Sequence, residues 1–177
     1  MAAILSHCGQ YRYRLERATS HAGRKRRQTV VFIGVNPSTA DATVDDATVR
    51  KWRGFSTRWG YTHFVVGNLF AYRATDVRAL ASAADPIGER NDEHLNAMLR
   101  DADTVVPCWG CRGKLPPALH GRIERVWSMI EASCAPVWAL GMTRSGDPKH
   151  PLMLGYDTPL MDWHDLVGQQ QGGRADG

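Results

Sequence analysis

No stretch of the sequence approaches the ~20 consecutive apolar residues that a membrane-spanning helix needs. Met1 to Gln10 carries neither a basic leader nor a long apolar segment, so no secretory signal is expected. Cysteine is scarce: Cys8, Cys108, Cys111 and Cys134 are four in 177 residues, too few for a disulfide framework at this length. Neither sign of charge dominates, with a formal net charge of +4, and no internal repeat or second-domain boundary interrupts the chain. What remains is a soluble, cytoplasmic protein with no membrane partner and one folded domain over residues 1–167. From Gly168 onward the chain is polar and Gly-rich (GQQQGGRADG), which predicts a disordered tail over 168–177. Hydrophobic residues at 43% and charged residues at 23% suffice for a core of ordinary size.

Charge is informative through its distribution. Arg24, Lys25, Arg26 and Arg27 are consecutive, with Arg12, Arg14 and Arg17 just upstream. Such a run is either a solvated loop or a grip on a phosphate backbone.

Tyr11 to Arg17 (YRYRLER) alternates apolar and charged residues, the period of a half-exposed strand at a sheet edge. Val30 to Val35, Phe64 to Leu69, Thr104 to Cys108 and Pro136 to Leu140 are short apolar runs, as expected for strands buried on both faces. Pro107 belongs at the end of its strand, because it cannot donate to a central ladder. Helical spacing predicts helices over Asp46 to Trp59, with Asp45 or Asp46 as cap, over Asn91 to Arg100 and over Pro116 to Ala132. The Trp and Met residues in these stripes read as core. Strands alternating with helices predict an α/β fold: a three-layer α/β/α sandwich with a central four-stranded parallel sheet, plus an N-terminal edge strand.

In open parallel sheets ligands bind beyond the carboxyl ends of the strands. The four apolar runs lead into Asn36-Pro37-Ser38-Thr39-Ala40-Asp41, Asn68 to Arg73, Trp109 to Gly113, and Gly141 to Pro151. Asn36 can hold a base edge or a water, or it can merely bend the chain as an Asx-turn. Ser38 and Thr39 can cap a helix or contact phosphate. Of Asp41, Asp45 and Asp46, one can serve as general base and one as helix cap. Tyr72 and Arg73 can stack on a base and hold a phosphate, or form a surface turn. His150 lies in a loop beside Lys149 and can donate to a carbonyl or phosphate oxygen.

Cys108-Trp109-Gly110-Cys111 has the local layout of a thioredoxin-like redox site. However, Pro116 and Pro117 start the next helix five residues after Cys111, too late for that geometry. Spacing does not bring Cys8 and Cys134 to the pair, so no metal or other cofactor is expected.

Taken together, YRYRLER, VNPSTADATVDDATVR, WGY, VVGNLFAYRATD, DPIGERND, the later Trp-Gly and LGMTRSGDPKHPL resemble an uncharacterised bacterial and phage family, a domain of unknown function, from about Tyr11 to Leu154. A more distant resemblance is to the uracil-DNA glycosylase superfamily. There an apolar strand leads into Asn-Pro-Gly, a later strand ends near Trp-Gly, a helix follows, and the last strand leads to His-Pro-Ser. The corresponding positions are Asn36-Pro37, Trp109-Gly110, the helix from Pro116, and His150-Pro151, with Ser38 in place of Gly and Leu152 in place of Ser. That resemblance implies hydrolysis of an N-glycosidic bond to a base, modified or not, in DNA or a nucleotide. Asn36 would position the water, Asp41 would act as base and His150 would stabilise the departing base. Asn68 would read the base edge and Tyr72 would stack on it. Pro37, Ser38, Thr39, Arg73, Trp109 and Lys149 would complete the substrate site, and Arg24, Lys25, Arg26 and Arg27 would approach the backbone. A non-catalytic nucleic-acid or nucleotide binder and a C-x-x-C oxidoreductase are the competing functions.

Overall fold

The computed structural model describes residues 2–38 and 45–172. Its centre is a five-stranded mixed sheet of β1 (Ala2–Leu5), β2 (Arg12–Ala18), β3 (Thr29–Gly34), β4 (His63–Asn68) and β5 (Thr104–Pro107), in the order β1-β2-β4-β3-β5. The apolar run of β3 is buried throughout because it lies between two parallel neighbours, β4 and β5. Strand periodicity divides its side chains between two cores. Val31 and Ile33 pack with α2 (Asn91–Arg100) and α3 (Gly121–Ala132) on one face. Val30 and Phe32 pack with α1 (Ala47–Arg58) on the other. Pro107 ends β5, as its missing N–H requires.

The expected sheet of four parallel strands is not what forms. Three strands pair in parallel, and the fourth apolar run meets β5 only through the bridge between Val105 and Val137. The next residues, β6 (Trp138–Ala139), instead pair antiparallel with β7 (Met161–Asp162). Pro107 and Pro136 both lack a donor, which shortens any ladder between the two segments.

The N-terminal strand is not an edge strand. β2 pairs antiparallel with both β4 and β1, so β1 is the edge. The charges that suggested exposure are turned inward: Arg12 and Arg17 are buried, and Arg17 Nε donates to Asp45 Oδ1 at 2.8 Å.

The remaining boundaries follow their local signals. Asp46 caps α1, its Oδ1 accepting from the Val49 N–H at 2.8 Å. The helix predicted from Pro116 begins with a 3-10 turn, Pro117–Leu119, and becomes α-helical at Gly121. α4 (Trp163–Gly172) extends through the start of the segment expected to be a disordered tail, and residues 173–177 lie outside the described ones. Among the described residues no helix is long and apolar enough to cross a membrane.

One long-range clamp matters for the site. The loop after His150 is fastened to α1: Lys51 Nζ donates to the Leu154 carbonyl at 2.6 Å, and the Tyr156 ring packs edge-on against Phe55. A Cβ at Gly54 would collide with that ring, so glycine is what lets the loop lie on the helix.

Candidate functional site

A cleft of about 710 Å³ opens at the carboxyl ends of β3, β4 and β5, where the first, second and third exits and the His150 loop meet. Its floor includes Gly34 to Asn36, Asn68 and Trp109. Asp46 and Trp52 of the α1 region line it as well, with Lys149 and His150 from the clamped loop.

The second exit is rigidly anchored. Asn91 Nδ2 donates to the Asn68 and Leu69 carbonyls, each at 3.1 Å, and Arg122 Nε donates to the Leu69 carbonyl at 2.7 Å. Asn68 is 1% exposed and its Nδ2 has no acceptor among the described residues. Its Oδ1 lies 3.0 Å from the place a Cβ of Gly34 would occupy, so the glycine makes room for the carboxamide. Trp109, another lining residue, has a buried indole N–H without an acceptor among the described residues. Its ring is held edge-on by Trp127, centroids 5.2 Å apart.

Asn36 lies at the cleft, but its amide serves the backbone. Nδ2 donates to the Ala74 carbonyl at 2.6 Å and to the Pro37 carbonyl at 3.1 Å. The Pro37 carbonyl also accepts from the Ala74 N–H at 3.1 Å. The Nδ2 group therefore ties the first exit to the second across 38 residues, a long-range tie and not the local Asx-turn weighed against direct contact. Ser38 lines the cleft. Thr39 and Asp41 lie outside the described residues.

His150 is half-buried. Its Nδ1 accepts from the Leu152 N–H at 3.3 Å, which leaves Nε2 to carry the proton of the neutral ring. Burial pushes its pKa below the usual histidine value, Lys114 adds to this, and the Asp46 charge opposes it. At neutral pH the ring is a neutral N–H donor. Gly110 sets its backbone neighbour. With φ +79 it adopts a left-handed conformation, and a Cβ there would come 3.3 Å from His150 Cβ. The Trp-Gly pair thus builds the turn on which the histidine loop rests.

Asp46 uses Oδ1 for the helix cap, and Oδ2 makes no hydrogen bond to a described residue. Neighbouring Asp45 faces away from the cleft and pairs with Arg17 and Arg53. Asp147, 1% exposed, accepts from Arg112 Nε at 2.8 Å, the Arg112 N–H at 2.9 Å and Ser145 Oγ at 2.7 Å. It joins the third exit to the fourth.

Several expected site residues lie elsewhere. Tyr72 and Arg73 are outside the cleft lining, because the chain after β4 bridges back to the N-terminal segment at Tyr11. Tyr72 packs edge-on against Tyr11, centroids 5.8 Å apart, and Arg73 Nη1 donates to the Gly9 carbonyl at 3.2 Å. The basic loop precedes β3 and so sits at the opposite end of the parallel strands. Six residues of strand at ~3.3 Å each separate it from the cleft by about 20 Å. Arg24 donates to the Gly60 carbonyl, Arg26 pairs with Asp103 and Arg27 with Glu16, while Lys25 is exposed.

Sequence reasoning missed Arg12, Trp52, Arg112 and Lys114 as lining residues. Trp52 falls in a helical apolar stripe and reads as core. Its position in the first half of a helix that follows a central strand was the available signal. Arg12 had none.

Cys108 is buried, and its thiol is pushed up to about 12 by burial, with the nearby Trp52 indole acting in the other direction. Cys111 is partly exposed on the cleft wall, and the Ser145 hydroxyl beside it lowers its pKa. A thiol raised that far is not a nucleophile at neutral pH. Among the described residues no three His, Cys, Asp or Glu side chains come together to hold a metal ion.

Compared with known proteins, the chain matches one family model over residues 12–152; the family is described as a protein of unknown function (DUF1643). No curated protein matches, and no solved structure does.

Proposed function

We propose a base-processing hydrolase for this chain, which belongs to the DUF1643 family of proteins of unknown function. The reaction is cleavage of the N-glycosidic bond between a sugar and a base, in a nucleotide or in DNA. The observation that carries this reading is a carboxylate and a neutral imidazole donor, Asp46 and His150, on one cleft whose floor holds a buried carboxamide without an acceptor, Asn68. Helices on both faces of the sheet, α1 on one and α2 and α3 on the other, suit a three-layer α/β/α arrangement with the site at its strand ends.

In this mechanism water attacks the anomeric carbon as the bond to the base nitrogen breaks. The new C–O bond takes a lone pair of water, and Asp46 Oδ2 accepts the water proton. The electron pair of the broken bond leaves with the base, whose growing negative charge is met by the His150 Nε2–H. General acid–base assistance of this kind contributes ~10²–10⁴-fold. Asp46 takes the base role that the resemblance placed on Asp41, and Asn36 holds the exits in register instead of orienting the water.

The test is release of free base from nucleotides and oligonucleotides carrying each common and several modified bases, followed by chromatography. Asp46→Asn preserves a good helix cap, so it should fold normally and lower kcat by about 100-fold or more with little change in KM. Ligand binding without base release from any substrate would replace the hydrolase with a non-catalytic nucleotide or nucleic-acid binder.

A further inference from the structure

We infer that this cleft takes a free nucleotide carrying an oxo-bearing base, and not a polynucleotide; the inference rests on reading the cleft as a base-processing site. The base end is set by donors. Asn68 and Trp109 are both nine-tenths or more buried and line the cleft, and neither Asn68 Nδ2 nor Trp109 Nε1 has an acceptor among the described residues. Buried donors are costly to leave unmade, so the group that fills the floor must present acceptors. His150 adds a third N–H from the wall. The carbonyl oxygens of a uracil-like or 6-oxopurine base meet donors of this kind. The amino group of cytosine or adenine would set N–H against N–H.

The phosphate end is set by charge. Lys114 and Lys149 line the cleft, and neither has a carboxylate partner among the described residues. The Arg112 charge, by contrast, is met by Asp147 and Glu124, and that of the acidic lining residue Asp76 by Arg78. Among the described lining residues Asp46 is the carboxylate left for chemistry. Two ammonium groups suit a phosphate monoester.

Size and placement argue against a polymer. A volume of about 710 Å³ lies within the ~300–1,000 Å³ of small-molecule sites. A polynucleotide needs a track of cations along its backbone. The consecutive Arg24 to Arg27 run is at the far end of the sheet, its arginines engaged with Glu16, Asp103 and the Gly60 carbonyl.

Titration calorimetry of the full chain with uridine, inosine, cytidine and adenosine monophosphates, with uridine, and with a short uracil-containing oligonucleotide tests this. The two oxo-base monophosphates should bind about tenfold or more tighter than the two amino-base ones. Lys114→Ala and Lys149→Ala, both at the surface, should weaken uridine monophosphate several-fold while sparing uridine. Trp109→Phe keeps a ring and removes the donor, and should narrow the oxo-to-amino ratio. Equal affinity for all four monophosphates, or binding of the oligonucleotide alone, overturns the inference. Tight binding of an oxo-base monophosphate without base release overturns the hydrolase and leaves the inference standing; base release from oligonucleotide alone does the reverse.

Discussion

Burial acts on Cys108 and His150 through the same physics, because low-dielectric surroundings disfavour whichever form is charged. For Cys108 the charged form is the reactive one, and the thiol is held up to about 12. For His150 the neutral form is the one whose Nδ1 accepts from the Leu152 N–H, and burial favours it. Iodoacetamide at about pH 7.5 should therefore label Cys8, Cys111 and Cys134 in the folded protein and reach Cys108 only after denaturation. Peptide mass spectrometry before and after unfolding reads this, and early labelling of Cys108 would contradict it. The histidine has its own signature. Its folded pKa lies below the reference 6.5, so its contribution to stability is present above about pH 6.5 and is lost as pH falls through the folded value. Protonation at Nδ1 breaks its bond from the Leu152 N–H and frees the ring from its place at the cleft, so base release should fall along the same acidic limb and be level above it. In His150→Gln the residual rate should lose that limb, and a limb unchanged in the variant assigns the titration to another group.

The entrance to α1 shows how one element is specified twice. Two adjacent aspartates precede it, and both are chemically able to cap. Asp46 does so, while Asp45 reaches across to Arg17 of β2 and to Arg53 one helical stretch later. Burial works to raise the Asp45 pKa, but hydrogen bonds from Arg53 and Arg17 outweigh it and hold the carboxyl below the usual value. This contribution is complete above the unfolded value near 3.8 and disappears as pH falls below it. Asp45→Ala removes one of the partners of the fully buried Arg17 guanidinium, and should cost about 1.5–3 kcal/mol in urea melts at neutral pH. The gap between variant and wild type should shrink near pH 3. The helix itself was legible from Val49, Trp52 and Phe55 at helical spacing. The division of labour between the aspartates was not, since it depends on an arginine on a distant strand. The fourth parallel strand failed for a related reason: the apolar run from Pro136 was legible, but its partner was not.

Across the molecule, chain direction decides which charged regions can cooperate. The basic run and the cleft are joined by β3 and lie at its two ends, about 20 Å apart. At ordinary ionic strength that is about two Debye lengths. Arg24→Glu combined with Lys25→Glu should leave nucleotide affinity at the cleft within about twofold at 0.15 M salt; a loss of tenfold or more would place the loop at the site. Apolar runs, helical stripes and cap signals are local, and the sequence carries them openly: they locate the central strands, α1 to α3 and the edge of the sheet where the cleft opens. Three-dimensional contact settles the rest. Packing between distant segments buries Arg12 and Arg17, turns Tyr72 and Arg73 toward the N-terminal strand, commits the Asn36 amide to the backbone, and leaves Asp46 and His150 at one cleft. Periodicity records which way a side chain points from its own element; only the neighbours supplied by the whole fold determine which charges are neutralised and which donors are left for a ligand.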